Sequence, residues 1–306
     1  MTQPSLPRAR LCLVLAALLF ATGGPAIKAC QMSGWQIACL RSGIAALTLL
    51  VFARPSRGSF TLRAVAVGVA HGATMVLFAA ANKLTTATNA IFLQDSSILY
   101  VLLLAPWLLR EKLRRHDALV LLFVLGGMVL LFAADQRAGA TAPDPGLGNL
   151  LALASSVTWA LTVIGMRWLA APDPLRPERS EGGALAAVVC GNLFACSVSL
   201  APALPIELSR GSDIALLLYL GAIQIALAYV FVARGLKGVT ALEASVILLI
   251  EPLLNPLLTW LVHREEPHPW TIVGGVLILA ATLVKAWCER DGARGPASTQ
   301  TNSPSS

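Results

Sequence analysis

One stretch of the chain occurs twice. Residues 83–111 and 237–265 align without a gap, so that Lys83 falls on Lys237, Thr86-Ala87 on Thr240-Ala241, Ala90 on Ala244 and Arg110-Glu111 on Arg264-Glu265. Leu99, Leu103 and Leu104 also meet leucines. Leucine matches come cheaply in apolar sequence, so the polar anchors at both ends carry the alignment. A period near half the chain means two copies of one structural unit. The fold must therefore let two similar halves complete each other.

Each half is too apolar to be a soluble domain. The chain is 56% hydrophobic and 13% charged, and its charges cluster between apolar runs of roughly 20 residues, the length that crosses a bilayer core as a helix. Ten such runs are read: 11–28, 35–53, 64–82, 87–109, 117–134, 148–169, 184–204, 213–233, 240–262 and 270–288. They leave no room for a sizeable soluble domain. The expected fold is an all-α membrane protein of ten transmembrane helices arranged as two inverted five-helix repeats, residues 11–134 and 148–288. A Gly-, Pro- and Ala-rich connection, 135–148, joins them. Residues 1–10 and 289–306 are expected to be cytoplasmic tails, with the small, polar stretch Gly292–Ser306 disordered.

Arg8 and Arg10 before the first run give it the look of a signal peptide. Yet Phe20 to Lys28 aligns with Trp159 to Arg167 at the start of the second half. A cleaved leader has no such counterpart, so the first run is read as a membrane helix.

Lys and Arg set the orientation. One side collects Arg8, Arg10, Arg54, Arg57, Arg63, Arg110, Lys112, Arg114, Arg115, Arg167, Arg176, Arg179, Arg234, Lys237, Lys285, Arg290 and Arg294. The other holds only Lys28, Lys83, Arg137, Arg210 and Arg264. Arg41 lies inside the second run and belongs to neither. The crowded side is expected to be cytoplasmic, with both termini inside and the bacterial inner membrane as location. The same bias accounts for the net charge of +7, which is no sign of nucleic-acid binding. With five helices per half, the halves enter the membrane from opposite sides. Inverted repeats build two similar gates facing opposite compartments, the physical basis of alternating access.

Several pieces stand in order: Gly23-Gly24 to Lys28, Arg41 and Thr86-Ala87 to Arg110-Glu111 followed by Gly126-Gly127 in the first half, then Trp159, Thr240-Ala241, Glu251-Pro252, Arg264-Glu265 and Gly274-Gly275 in the second. In these the chain resembles the ten-helix EamA-type drug/metabolite transporters, over roughly residues 11 to 288. The resemblance implies a secondary transporter, and many such proteins export amino acids or other small metabolites from the bacterial cytoplasm. Where such families often place a proline in the middle of the fourth helix, this chain has Asp95 followed by Ser97-Ile98.

Polar groups inside the membrane are costly and face a cavity or another helix. At the helical period, Thr85, Thr88, Asn89, Asp95 and Ser96 share one face of the fourth helix, and Thr240, Glu243, Glu251 and Asn255 one face of the ninth. By pseudo-symmetry these stripes are expected to meet across a central cavity, the candidate substrate site. Asp95, read as mid-helix, either holds an amine, carries a coupling proton, or pairs structurally with Arg41 or His71. Glu251, also read as mid-helix, precedes Pro252. It is either a ligand or an interhelical polar group, while Pro252 and Pro256 free carbonyls or mark a hinge. Glu243 is read as a first-turn acid welcomed by the helix dipole.

His71 and Tyr229 complete the candidate set with Asn89, Ser96, Trp159, Asn255, Asp95 and Glu251. His71 titrates near neutrality when solvated and is otherwise a satisfied hydrogen-bonding group. Asn192 and Gln224 read as helix-helix glue. Six tryptophans (Trp35, Trp107, Trp168, Trp260, Trp270, Trp287) sit at expected helix ends as interfacial anchors. Trp159 alone falls at mid-helix, aligned with Phe20, where the two aromatics either line the cavity or pack in the core. Gly23-Gly24, Gly126-Gly127 and Gly274-Gly275 are read as close helix approaches.

The six cysteines show no C-x-x-C spacing and give neither a metal site nor a disulfide framework. His263 to His268 is a turn without recognised ligand spacing. No cofactor is expected, no nucleotide loop is present to drive transport, and no hydrolase signature suggests an enzyme. The expected partners are a small-molecule cargo, a proton if transport is coupled to one, and the lipid bilayer. A passive channel for small polar solutes is the alternative; cargo, direction and oligomeric state stay open.

Overall fold

The computed structural model describes residues 5–108, 115–133, 139–170, 180–206, 210–236, 239, 244 and 247–293. Among these the regular structure is helical. We label the helices α1 (Leu6–Ala29), α2 (Gly34–Ala53), α3 (Leu62–Leu84), α4 (Ala87–Asp95 then Ser97–Leu108), α5 (Arg115–Ala133), α6 (Pro145–Ala170), α7 (Ser180–Ala203), α8 (Gly211–Gly235), α9 (Ile250–His263) and α10 (Pro269–Ala293). Seven helical segments among the described residues are long and apolar enough to cross a membrane: Leu6–Ala29, Gly34–Ala53, Leu62–Leu84, Ala87–Leu104, Pro145–Met166, Gly182–Ala203 and Gly211–Gly235. Asp117–Ala133 and Pro269–Lys285 are shorter apolar helices. Lys237, Thr240-Ala241, Glu243, Arg110-Glu111 and the tail from residue 294 lie outside the described residues. Gly292, expected to open that tail, is instead the penultimate residue of α10.

Local chemistry sets the helix starts. Ser33 accepts from the Gln36 amide at 3.2 Å while Gln36 Oε1 accepts from the Ser33 amide at 3.0 Å, a reciprocal cap that begins α2. The hydroxyls of Thr61 and Thr86 accept from the amides of Ala64 and Asn89 to start α3 and α4. Asp144 does the same for α6 through the amide of Leu147, so helix begins three residues before the expected connection ends. Arg54 and Arg264 take left-handed φ of 45° and 55° and terminate α2 and α9.

Three helices are broken near their middles or starts. Thr22 interrupts α1, Ser96 interrupts α4, and Leu249 stands before α9; all three have ψ between −10° and −4°. At two of them the residue's own hydroxyl caps a carbonyl three positions back: Thr22 to Leu19 at 2.6 Å and Ser96 to Leu93 at 2.5 Å. Such back-bonding competes with the helical ladder and bends it. Helix α8 widens into π turns over Tyr219–Leu227, a distortion that often marks functional sites.

Helix α3 packs between α6 and α7, α2 lies against α7 and α8, α1 against α8 and α9, α4 against α6 and α9, and α5 against α10. Glycines set the closest crossings. A Cβ on Gly127 would stand 2.6 Å from the Gly274 carbonyl oxygen, and one on Gly274 2.6 Å from that of Gly127. Gly72 and Gly191 make the corresponding approach between α3 and α7. Gly126 meets nothing within 4 Å, so only one member of that glycine pair packs. Large apolar side chains cover the outside, Phe52, Leu122 and Val129 among them. All six tryptophans read as interfacial are exposed, whereas Trp159 is half-buried.

Candidate functional site

Asp95 and Glu251 flank two of the helix breaks. In the alignment that lays Lys83 on Lys237, Asp95 falls on Leu249 and Ser97 on Glu251. The breaks at Ser96 and Leu249 thus sit one position apart in the repeat. Asp95 ends the first segment of α4, and Glu251 stands in the first turn of α9. The segment of α4 that Asp95 ends packs against α9, which carries Glu251. Asp95 Oδ2 is buried without a hydrogen-bond partner among the described residues.

This corrects three expectations. Glu251 is a first-turn acid rather than a mid-helix one, because α9 is broken just before it. Pro252 follows in that same first turn, where its missing N–H costs no helical bond; only Pro256 lies inside the helix. Among the described residues, Asp95 makes no ion pair with Arg41 or His71.

Arg41 is 2% exposed and donates from Nη2 to the Met75 carbonyl at 2.8 Å, which ties α2 to α3. His71 is fully buried, and neither ring nitrogen has a partner among the described residues. Tyr229 ties α8 to α3 and α1: its ring meets His71 edge-on at 5.1 Å and Phe20 at 5.3 Å. Phe20 therefore pairs with Tyr229 rather than with Trp159.

Three of the other candidates stand in helix-helix contacts. Asn89 donates to Asn149 Oδ1 at 3.4 Å and accepts from Thr271 at 3.0 Å, joining α4 to α6 and α10. Ser96 lies 3.4 Å from Ser156 of α6. Asn255 donates to the Ala21 carbonyl at 3.2 Å and packs on Gly24, so it secures the break in α1. At that break the hydroxyls of Thr22 and Tyr219 are 2.7 Å apart, and Gln224 packs on Gly23. Asn192 bonds back to Val188 of its own helix. Sequence reasoning missed Thr22, Tyr219 and Ser156, whose hydroxyls are ordinary until tertiary contacts assemble them. Among the described residues no group of three or more metal-ligating side chains converges.

Broken helices with buried polar side chains at the breaks, wrapped in an apolar exterior, define a multi-pass membrane protein built around an internal polar site. The model of the EamA-like transporter family matches residues 8–133 and again 146–286, and the chain belongs to that family. Its class is thereby a membrane transporter of small molecules and not an enzyme. An uncharacterized protein of Pseudomonas aeruginosa is similar, 31% identical over 94% of this chain and 99% of its own. A solved structure described only as that of a protein shares the fold, with a TM-score of 0.62 at 22% identity, over 94% of this chain and 99% of the other.

Proposed function

We propose that the chain is a secondary transporter that exports amino acids or related amines across the bacterial inner membrane by alternating access. Ten helices span the bilayer as two inverted repeats, 11–134 and 148–288, with residues 1–10 and 289–306 and both termini in the cytoplasm. One observation carries this reading: equivalent fourth helices of the two repeats break at corresponding places, and an intramembrane acid flanks each break. Discontinuous helices of this kind bind cargo and coupling ions near the midplane of transporters.

The packing supports the repeat as well. Exchanging each helix for the one five places on turns the α3–α6 contact into α8–α1, α3–α7 into α8–α2, and α4–α6 into α9–α1; α2–α7, α4–α9 and α5–α10 map onto themselves. A two-fold axis between the halves produces that pattern. Asp95 and Glu251 receive the cargo ammonium or a coupling proton. Asn89, Ser96, Trp159, Asn255, His71 and Tyr229 shape the surrounding site.

The test is a thermal-shift screen of purified protein against amino acids, amines, nucleosides and sugars. A cargo present at 100 times its Kd stabilises the folded state by about 2.7 kcal/mol. Flux of the hit is then measured in proteoliposomes. Saturable exchange below roughly a thousand molecules per second fits a carrier. Flux far above that, without saturation, would identify a channel and end this reading.

A further inference from the structure

We propose that Lys28 and Glu265 form the latch that closes one end of the transport path, the end that the Lys and Arg distribution puts outside. The inference rests on the alternating-access reading. Lys28 Nζ lies 3.2 Å from Glu265 Oε1, and the two side chains are only 3% and 4% exposed. The ammonium also donates to the carbonyls of Thr85, at 2.8 Å, and Thr141. Glu265 Oε2 accepts from the Ala87 amide at 3.0 Å. One ion pair thus gathers the end of α1, the α3–α4 turn, the segment before α6 and the α9–α10 turn.

Neighbouring contacts close the same end. Lys83 donates to the Cys30 carbonyl at 2.7 Å, Asp213 accepts from the Gln31 amide at 3.1 Å, and His263 Nε2 lies 2.8 Å from the Pro25 carbonyl. Lys28 belongs to the first repeat and Glu265 to the second, so opening this end separates the two charges. A buried pair is poorly suited to adding net stability, since desolvation offsets its attraction. Breaking it inside an apolar shell is costly, yet water entering through an opened end solvates both charges. The pair therefore favours a closed, dry end over a half-open one, as an alternating-access gate requires.

The test uses Cys30, which is fully buried beside the latch, as the reporter. The other five cysteines are replaced by alanine in the full chain, and alkylation by a membrane-impermeant maleimide is timed in intact cells. Glu265→Gln is expected to speed labelling about ten- to a hundredfold, the factor that one charged hydrogen bond contributes. Glu265→Asp, which shortens the side chain but keeps its charge, should leave labelling near the slow rate, which separates a latch of charges from mere loss of fold. Unchanged labelling in Glu265→Gln overturns the latch, as does labelling in Glu265→Asp as fast as in Glu265→Gln. Slow parental labelling that the variants alter as expected upholds the closed end, even if the parental protein proves to carry no cargo; that result would overturn alternating access alone.

Discussion

Alanine at Gly127 should weaken the fold, whereas alanine at the adjacent Gly126 should not. Both positions are in α5, so the gain of up to about 1 kcal/mol from replacing glycine in a helix is common to the two variants. What differs is the space. A Cβ at Gly127 stands 2.6 Å from the Gly274 carbonyl oxygen and 2.7 Å from Ile278 Cγ1, while one at Gly126 meets nothing within 4 Å. Ordinary contact begins near 3.5 Å, so α5 and α10 must part by about 0.9 Å along a crossing held largely by close packing. Overpacking on that scale costs about 1–3 kcal/mol. The Gly127→Ala protein should therefore melt about 2–12 °C below Gly126→Ala, taking about 2–4 °C per kcal/mol. Thermal unfolding in nanodiscs, followed by tryptophan fluorescence at one scan rate, measures the difference. Gly274→Ala should reproduce the loss, and the double variant should cost less than the two singles added, because both relieve themselves by one separation. A Gly127→Ala protein as stable as Gly126→Ala would refute the packing argument.

Asp95→Asn should abolish or uncouple transport of the cargo found by thermal shift while the folded yield stays unchanged; full activity would remove Asp95 from the mechanism. Asn255→Ala frees the Ala21 carbonyl at the break in α1 and should lower stability by about 0.6–1.7 kcal/mol in the same melting assay. Thr22→Val removes both the bond to Leu19 and that to Tyr219. It should cost about 1 kcal/mol, and Tyr219→Phe should cost little more once Thr22 is gone.

Helix class and approximate extents were legible because membrane helices need long apolar runs, and their starts were legible wherever a Ser, Thr or Asp precedes a run, as at Ser33, Thr61 and Thr86. The breaks were not. Neither Thr22 nor Ser96 is proline, and a hydroxyl interrupts a helix only when tertiary contacts such as Tyr219 or Ser156 hold the bent form. Missing the break before α9 put Glu251 at mid-helix and made Pro252 look like a hinge. The polar stripe on α4 was visible from period alone, but its partners were not. Asn89 turns to Asn149 and Thr271, and Asp95 pairs with neither Arg41 nor His71, because helix order in space sets those choices. Lys28 and Glu265 were noticed as anchors of repeated segments. Their contact across the halves could not be read from spacing, since it spans most of the chain.

Reciprocal motion of the two ends is most directly measured by electron–electron distance spectroscopy on two spin-label pairs in lipid. One pair joins exposed Ser33 and Glu266 at the latched end; the other joins exposed Leu62 and Leu236 near the opposite end. Two inverted halves rocking about the Asp95–Glu251 region require that, as cargo is added, one distance lengthens while the other shortens. Distances that stay fixed, or lengthen and shorten together, would contradict it.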